Sequence, residues 1–368
     1  MSTSADTISQ SDRAIGCLVG GAIGDALGAP VEFWGSERIR EAFGAQGVRD
    51  YRDAGHVTDD TQMTLFTVEG ILRAFQAQGA GSAPSPATTV AHVHDAYLRW
   101  LQTQESSSPP AVPTVASAQA SDLITQPWLH ALRAPGTTCL SALRASREDA
   151  SERRMARNDS KGCGGVMRSA PFDLIGADDL GSLAMACAGI THGHVTGQVA
   201  SGALAVLIDA LARGSTLDAA ISALRTWLDE TAGSAETAAA VHAALGLAES
   251  ARPGQDSVEL LGGGWIAEEA LAIGLYAAVC HPWKDQIREA LALSVTHGGD
   301  SDSTGSICGN ILGTLHGAPA LPPDLRQGLE GLSVIEQLAV DLTVVAEASR
   351  PSATGVQVGS SQQRRGGN

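Results

Sequence analysis

The sequence predicts an all-α protein, one compact domain built of many short helices. Three observations carry that expectation. Apolar residues recur at helical spacing in most segments between the termini. No run alternates apolar and polar residues between hairpin turns. Aromatics are only 4% of the 368 residues, whereas Gly alone counts 42. Small residues let helix axes approach closely, so a tightly packed helical core is expected.

Residues 1–10 read by composition as a disordered leader and 349–368 as a disordered tail, leaving a domain over 11–348. Ser11–Leu27 is a helix rich in Gly and Ala. Thr58–Phe75 follows, with Leu65, Val68, Leu72 and Phe75 at helical spacing and Thr58 as its N-cap. Ala91–Gln102 is helical. The Pro/Ser-rich stretch 103–120 reads as a surface loop rather than a domain linker, because the motifs on either side belong to one site. Leu123–Ala134 and Thr138–Arg147 are short helices, and NDSKGCGGVMRSAP is a glycine-rich loop. Leu183–Gly189, Thr196–Arg213, Leu217–Glu230 and Ala235–Glu249 are helices separated by Gly or Pro. Trp265–Val279, Trp283–Val295 and Ser303–Leu315 follow, the last with Ile307, Ile311 and Leu315 on one face. Leu332–Ala346 closes the fold, and no repeat of fixed period occurs.

The formal net charge of −16 argues against a nucleic-acid partner, which needs a basic face. An acidic protein that binds a phosphorylated ligand needs a metal, helix N-termini or a local basic cluster. The six cysteines form no CxxC pair and read as free thiols of a reducing cytoplasm. The N-terminus is polar and has no signal-peptide core, and charges, His or Gly interrupt the apolar stretches. A cytoplasmic protein with no membrane span is expected. No exposed coiled-coil pattern is present, so a monomer is expected.

Two acidic clusters stand at predicted helix starts. HVTDDTQMT contributes Thr58, Asp59 and Asp60, and HGGDSDSTG contributes Asp300, Asp302, Ser303 and Thr304. Such residues cap helices in the ordinary course. Yet each cluster holds more acids than a cap requires, and glycines flank the second. Successive helical side chains point about 100° apart, so Asp59 and Asp60 cannot cap the same groups. Four carboxylates with two or three hydroxyls suit a pair of hard cations, Mg²⁺, Mn²⁺ or Ca²⁺, rather than zinc.

GCLVGGAIGDALGAPVEFW, GHVTDDTQMTLFTVEGILRAF, KGCGGVMRSAPF, ITHGH, GGGWIAEEALAIGLYAA and THGGDSDSTGSICGNILG, in this order, resemble the motif series of the ADP-ribosylglycohydrolase family. The resemblance runs from about Asp12 to about Gly317. It implies an all-α fold of that type with two Mg²⁺, Mn²⁺ being an alternative. It implies metal ligands from Thr58, Asp59 and Asp60 on one side and Asp300, Asp302 and Ser303 on the other. Where the family often has Thr, this chain has Ser303; Thr304 takes that part if the register shifts by one. Glu32 matches a flap residue that positions or activates water. Lys161, Gly162, Cys163, Gly164 and Gly165 match a loop that holds diphosphate and ribose, with Arg168 adding local charge. Lys161 departs from the small residue or Met usual there. His192 matches a histidine near the distal ribose or diphosphate.

Asp25 reads as an acid that ends a helix or supports the site from behind. His56, His194 and His297 have structural readings, and Trp265 and Glu269 read as packing and helix-start residues. Phe172, Tyr276 and Trp34 stay open as the aromatic that stacks on adenine.

The reaction the resemblance implies is hydrolysis at C1″ of the distal ribose, through an oxocarbenium-like transition state, with Asp60 or Glu32 taking the proton of the attacking water. The substrate would be an ADP-ribosylated protein or a small ADP-ribose conjugate. GDALGAPVEFW and THGGDSDSTG are more similar to the bacterial dinitrogenase-reductase type, which favours an arginine linkage over serine. Two other readings stand beside it. DSDST has the spacing of an aspartyl-phosphate phosphohydrolase motif, which requires a preceding hydrophobic strand. Some members of the family have lost activity, which would leave a protein that only binds ADP-ribose.

Overall fold

A computed structural model of the chain describes residues 8–52, 54–79, 81–109, 122–149, 155–175, 179–250 and 252–349. Residues 1–7 of the expected leader, 110–120 of the expected loop and 350–368 of the expected tail lie outside the described residues. The α-helices are, in order, α1 (Gln10–Gly28), α2 (Ser36–Phe43), α3 (Asp59–Gln78), α4 (Pro86–Glu105), α5 (Thr137–Glu148), α6 (Leu180–Ala188), α7 (Val195–Ala212), α8 (Leu217–Glu230), α9 (Ala235–Ser250), α10 (Gln255–Glu259), α11 (Ala267–Cys280), α12 (Ile287–Val295), α13 (Ser301–His316), α14 (Pro323–Gln327) and α15 (Leu332–Ala348). Among the described residues there is no sheet, only isolated bridges between Gly55 and Leu329 and between Gly162 and Ile266.

The centre is an antiparallel pair, α1 against α13. Gly16, Gly20, Gly24 and Gly28 recur every fourth residue and face Gly313, Gly309, Gly305 and Ser301 in reverse order. A Cβ on Gly20 would lie 2.4 Å from the Gly309 carbonyl oxygen, so the two backbones are in direct contact. This approach buries α13 from Ser301 to Thr314, although that stretch contains Asp, Ser, Thr and Asn. Helices α11 and α12 and, more lightly, α7 and α3 pack round α13, while α4 and α15 flank α3.

Helix α7 is apolar over 18 residues, enough in length and composition to cross a membrane, and 67% of it is buried within this fold. None of the six cysteines is in a disulfide.

The sequence expectations meet several exceptions, among them the unforeseen short helices α10 and α14 and the start of α12 at Ile287 rather than Trp283. Leu123–Ala134 is not a helix but two 3-10 turns, Leu123–Thr125 and Pro127–His130, because Pro127 has no N–H to continue a helix. Helix α4 begins at Pro86, before the expected Ala91, since Ser85 caps it by accepting the Thr88 N–H at 3.1 Å. Helix α2 escaped the pattern because only Ile39 of its eight residues is buried.

Candidate active site

Thr58 is the N-cap of α3, and its Oγ1 accepts the Asp60 N–H at 3.3 Å. That cap is fixed from behind by Asp25, fully buried near the end of α1. Asp25 accepts the Thr58 N–H at 3.0 and 3.1 Å and its hydroxyl at 2.9 Å, and the Thr61 N–H at 3.1 Å and its hydroxyl at 2.5 Å. The first turn of α3 then carries Asp59, whose Oδ2 accepts the Gly136 N–H at 3.1 Å, and Asp60. Across from them, Asp300 is the N-cap residue of α13 but makes no side-chain cap bond, and it lines the cleft instead. Asp302 in the first turn accepts the Ser303 N–H at 3.0 Å.

These residues wall one cleft of about 340 Å³. Glu32, Asp59, Asp60, Asp300, Asp302 and Ser303 line it together with Gly162, Cys163, Gly164, Cys139 and His192. Ligand atoms from Glu32, Asp300 and Asp302 all lie within 4.8 Å of one another. The thiol of Cys163 donates to Asp300 Oδ2 at 2.7 Å.

Burial and mutual repulsion push every carboxyl here upward. Asp25 rises to about 7, from burial and then the charge of Asp302, against the hydrogen bonds of Thr61 and Thr58. Glu32 rises to about 10, from burial and then the charges of Asp302, Asp300, Asp59 and Asp25. Burial also dominates at Asp59, Asp60, Asp300 and Asp302. No lysine or arginine is among the main influences on any of the six. Asp60 Oδ1 is buried with no hydrogen-bond partner. A buried anion without a partner is strongly unfavourable. A hard divalent cation supplies the missing partner, and an all-oxygen donor set suits it.

Thr58, the remaining expected ligand, is buried, gives its hydroxyl to Asp25 and is not among the residues that line this cleft. Ser303 lines the cleft, whereas the Thr304 hydroxyl is tied to the Ser294, Asp300 and Ser301 carbonyls and to His297. The register therefore favours Ser303. Two residues expected at the substrate are placed elsewhere. The Lys161 ammonium pairs with Glu236 at 2.6 Å and Glu268 at 2.5 Å, away from the cleft lining. Gly165 is buried against Ser201 and Ala188 and lies behind the loop.

The aromatics also differ from expectation. Phe172 and Tyr276 are fully buried and offer no face to a ligand. Arg38 covers Trp34, its guanidinium carbon 3.6 Å from the ring centre. The faces at the cleft are Trp265, 45% exposed, and Phe33, 71% exposed, stacked at 5.7 Å. Trp265 is thus no core residue. No sequence signal sets it apart from a core tryptophan; its exposure follows from the fold. His194 caps α7 by accepting the Thr196 N–H at 3.2 Å, His56 pairs with Glu330 and His297 bonds Thr304, all structural roles. Glu269 accepts the Gly263 and Gly264 N–H groups at the start of α11.

The strand that an aspartyl-phosphate motif requires is absent here: the residues before Asp300 form a bend that follows α12. What the fold and cleft define is an all-helical protein with a buried acidic centre whose oxygen donors suit a hard cation. The family model for ADP-ribosylglycohydrolase matches residues 6–352, and the chain belongs to that family. It is a glycohydrolase that removes ADP-ribose, and its family is metal-dependent. The chain is 25% identical over 319 residues to the ADP-ribosyl-[dinitrogen reductase] glycohydrolase of Rhodospirillum rubrum, covering 84% of this chain and 88% of the relative. It is 26% identical over 336 residues to an uncharacterized protein of Archaeoglobus fulgidus, covering 89% and 94%. A solved ADP-ribosylglycohydrolase-related protein complex superimposes with a TM-score of 0.67 at 24% identity, over 92% of this chain and 99% of that one. This last likeness concerns the fold.

Proposed function

We propose that the protein is a Mg²⁺-dependent hydrolase, Mn²⁺ being an alternative, that cleaves the glycosidic bond at C1″ of the distal ribose in ADP-ribosylated protein, with arginine-linked ADP-ribose as the favoured substrate. The observation that carries the metal dependence is Asp60 Oδ1, buried without a partner among six carboxyls that no lysine or arginine offsets. Thr58, Asp59 and Asp60 from α3 would hold two cations together with Asp300, Asp302 and Ser303 from α13. When bound, the cations supply charge compensation for the diphosphate and orient the ribose hydroxyls and the attacking water.

Gly162 and Gly164 line the cleft beside His192, which suits an anion approaching backbone N–H groups closely. Trp265 and Phe33 offer the exposed faces for adenine. Glu32 is favoured over Asp60 as the residue that takes the water's proton. It lines the cleft, makes no hydrogen bond among the described residues and is the group pushed to about 10. Neighbouring cations would bring it down toward neutrality, where a general base works best. Asp60, in the first turn of α3, is better suited to holding a cation. The reading takes the enzyme as a cytoplasmic monomer.

The test is ADP-ribose release from arginine-modified and serine-modified protein, side by side, with Mg²⁺ and with EDTA. Mg²⁺-dependent release from the arginine conjugate is expected. Equal release in EDTA would overturn the metal reading, and release from the serine conjugate alone would overturn the linkage.

A further inference from the structure

We propose that Arg168 and Thr191 are positioning residues that lock His192 as the neutral tautomer with its proton on Nε2, aimed into the cleft as a fixed donor to an acceptor-only oxygen such as those of a diphosphate. The ligand class rests on the function proposed above; the relay itself rests on hydrogen bonds.

Arg168 is an arginine in an unusual place. It is only 1% exposed, and no carboxylate pairs with it among the described residues. Its guanidinium lies over the Tyr97 ring, 4.3 Å from the centre, and reaches Met63 Sδ at 3.2 Å and Cys139 Sγ at 3.5 Å. Its strongest contact is Nη2 to Thr191 Oγ1 at 2.6 Å. A guanidinium only donates, so the Thr191 oxygen accepts there and keeps a single proton to give.

Cys139 Sγ also meets the Thr191 hydroxyl, but burial keeps it a thiol and a weak acceptor, which leaves that proton two places to go. One is the Ala188 carbonyl at 3.5 Å, but this oxygen already accepts the N–H of Thr191 at 3.1 Å and of His192 at 3.0 Å. The other is His192 Nδ1 at 2.8 Å. Distance and saturation both send the hydroxyl proton to Nδ1, which therefore accepts. A neutral imidazole with an accepting Nδ1 carries its proton on Nε2.

The second nitrogen is the free end. Nε2 has no hydrogen-bond partner among the described residues, and His192 lines the cleft. The ring lies against the glycine loop: a Cβ on Gly164 would fall 2.9 Å from its Cε1, and one on Gly162 would fall 3.4 Å from its Nε2. Burial and then the charge of Arg168 push the imidazolium down to about 3, so the ring stays neutral. The opposite tautomer would turn a lone pair toward the ligand and leave the Thr191 hydroxyl only the weak alternatives, the Ala188 carbonyl at 3.5 Å and the Cys139 sulfur.

The experiment uses full-length protein labelled with ¹⁵N-histidine at neutral pH, with the His192 signal assigned by its loss in His192→Gln. A bare Nδ1 and protonated Nε2 are expected in the ligand-free protein; a protonated Nδ1 would overturn the proposal. Thr191→Val keeps the shape and removes the hydroxyl. It is expected to shift the tautomer and weaken ADP-ribose binding about 10- to 100-fold, the range for loss of one well-placed hydrogen bond. Thr191→Ser is expected to restore both. A valine variant with the wild-type tautomer and affinity refutes the relay. If wild type binds no ADP-ribose, the functional reading fails while the tautomer spectrum still decides the relay.

Discussion

Replacing Gly24 with Ala tests whether close approach of α1 and α13 is what assembles the site. A Cβ on Gly24 would stand 1.9 Å from the Gly305 carbonyl oxygen and 2.2 Å from its carbon. Both are backbone atoms, so no rotamer relieves the clash and the helices must separate by about an ångström or more. In an open helix the same substitution stabilises by roughly 0.5–1 kcal/mol, because Ala is the better helix former. Overpacking costs about 1–3 kcal/mol, and a rigid backbone contact belongs at the upper end. The expected net effect is about 2 kcal/mol of destabilisation, a melting temperature lower by roughly 3 °C for a chain of this size. Gly246 in α9 is the control. Nothing lies within 4 Å of a Cβ there, so Gly246→Ala should melt at or above the wild type. Separation should also displace Asp300, Asp302 and Ser303 at the start of α13, so turnover well below the melting point should fall for Gly24→Ala alone. Differential scanning calorimetry with a parallel release assay measures both. A Gly24→Ala protein as stable and active as the Gly246→Ala protein would refute the reasoning.

The remaining predictions concern charge and contact. Asp60→Asn removes one uncompensated buried carboxyl, so the variant should melt higher than wild type in EDTA, show no Mg²⁺-induced rise and lose at least about 100-fold in turnover. Carboxyls raised in the fold favour folding below their ordinary range near 4, and that contribution fades as pH rises through about 7 for Asp25 and about 10 for Glu32. The metal-free protein should therefore melt lower at pH 8 than at pH 5, and the gain on adding Mg²⁺ should be larger at pH 8; an equal gain at both would count against the cluster. His192 and His297 are depressed to about 3 and about 4, so the unfolded chain takes up their protons first as pH falls below 6.5. With Mg²⁺ saturating, the midpoint in urea should drop between pH 6.5 and pH 4, and His297→Gln should flatten that drop if it folds. Trp265→Ala should weaken ADP-ribose binding about tenfold, as loss of one stacking face does. Lys161→Ala should leave that affinity unchanged, because its charge is spent on Glu236 and Glu268.

Much of the site was legible because its signals are local. Thr58 as a cap, the surplus of acids beside it, and Asp300 and Asp302 at a loop-to-helix junction follow from short-range rules, and the cleft brings them together. What depends on tertiary direction was not legible. Lys161 stands in the right loop, yet its long side chain turns to two glutamates contributed by α9 and α11. Trp265 has the composition of a core residue, and only the fold decides that no core lies over it. Pro127 was visible in the sequence and marks the break that turns Leu123–Ala134 into 3-10 turns.

The glycine stripe and the acidic cluster belong to one physical problem. Six carboxyls gathered in one buried place repel each other, so the cluster does not hold the fold together; something else must hold the cluster. Asp25 ties the first turn of α3 to α1 through four donors from Thr58 and Thr61. The glycines tie α1 to α13 by backbone contact along its length. The two acid-bearing helix starts are thus fixed to a common helix, and Thr58 also meets Asp302 across the gap. This division explains why Asp25 lies behind the cleft lining and why so polar a helix as α13 is buried. It also separates two kinds of failure. Loss of a cleft acid should remove cation binding from a folded protein, while loss of a stripe glycine should move intact ligands apart.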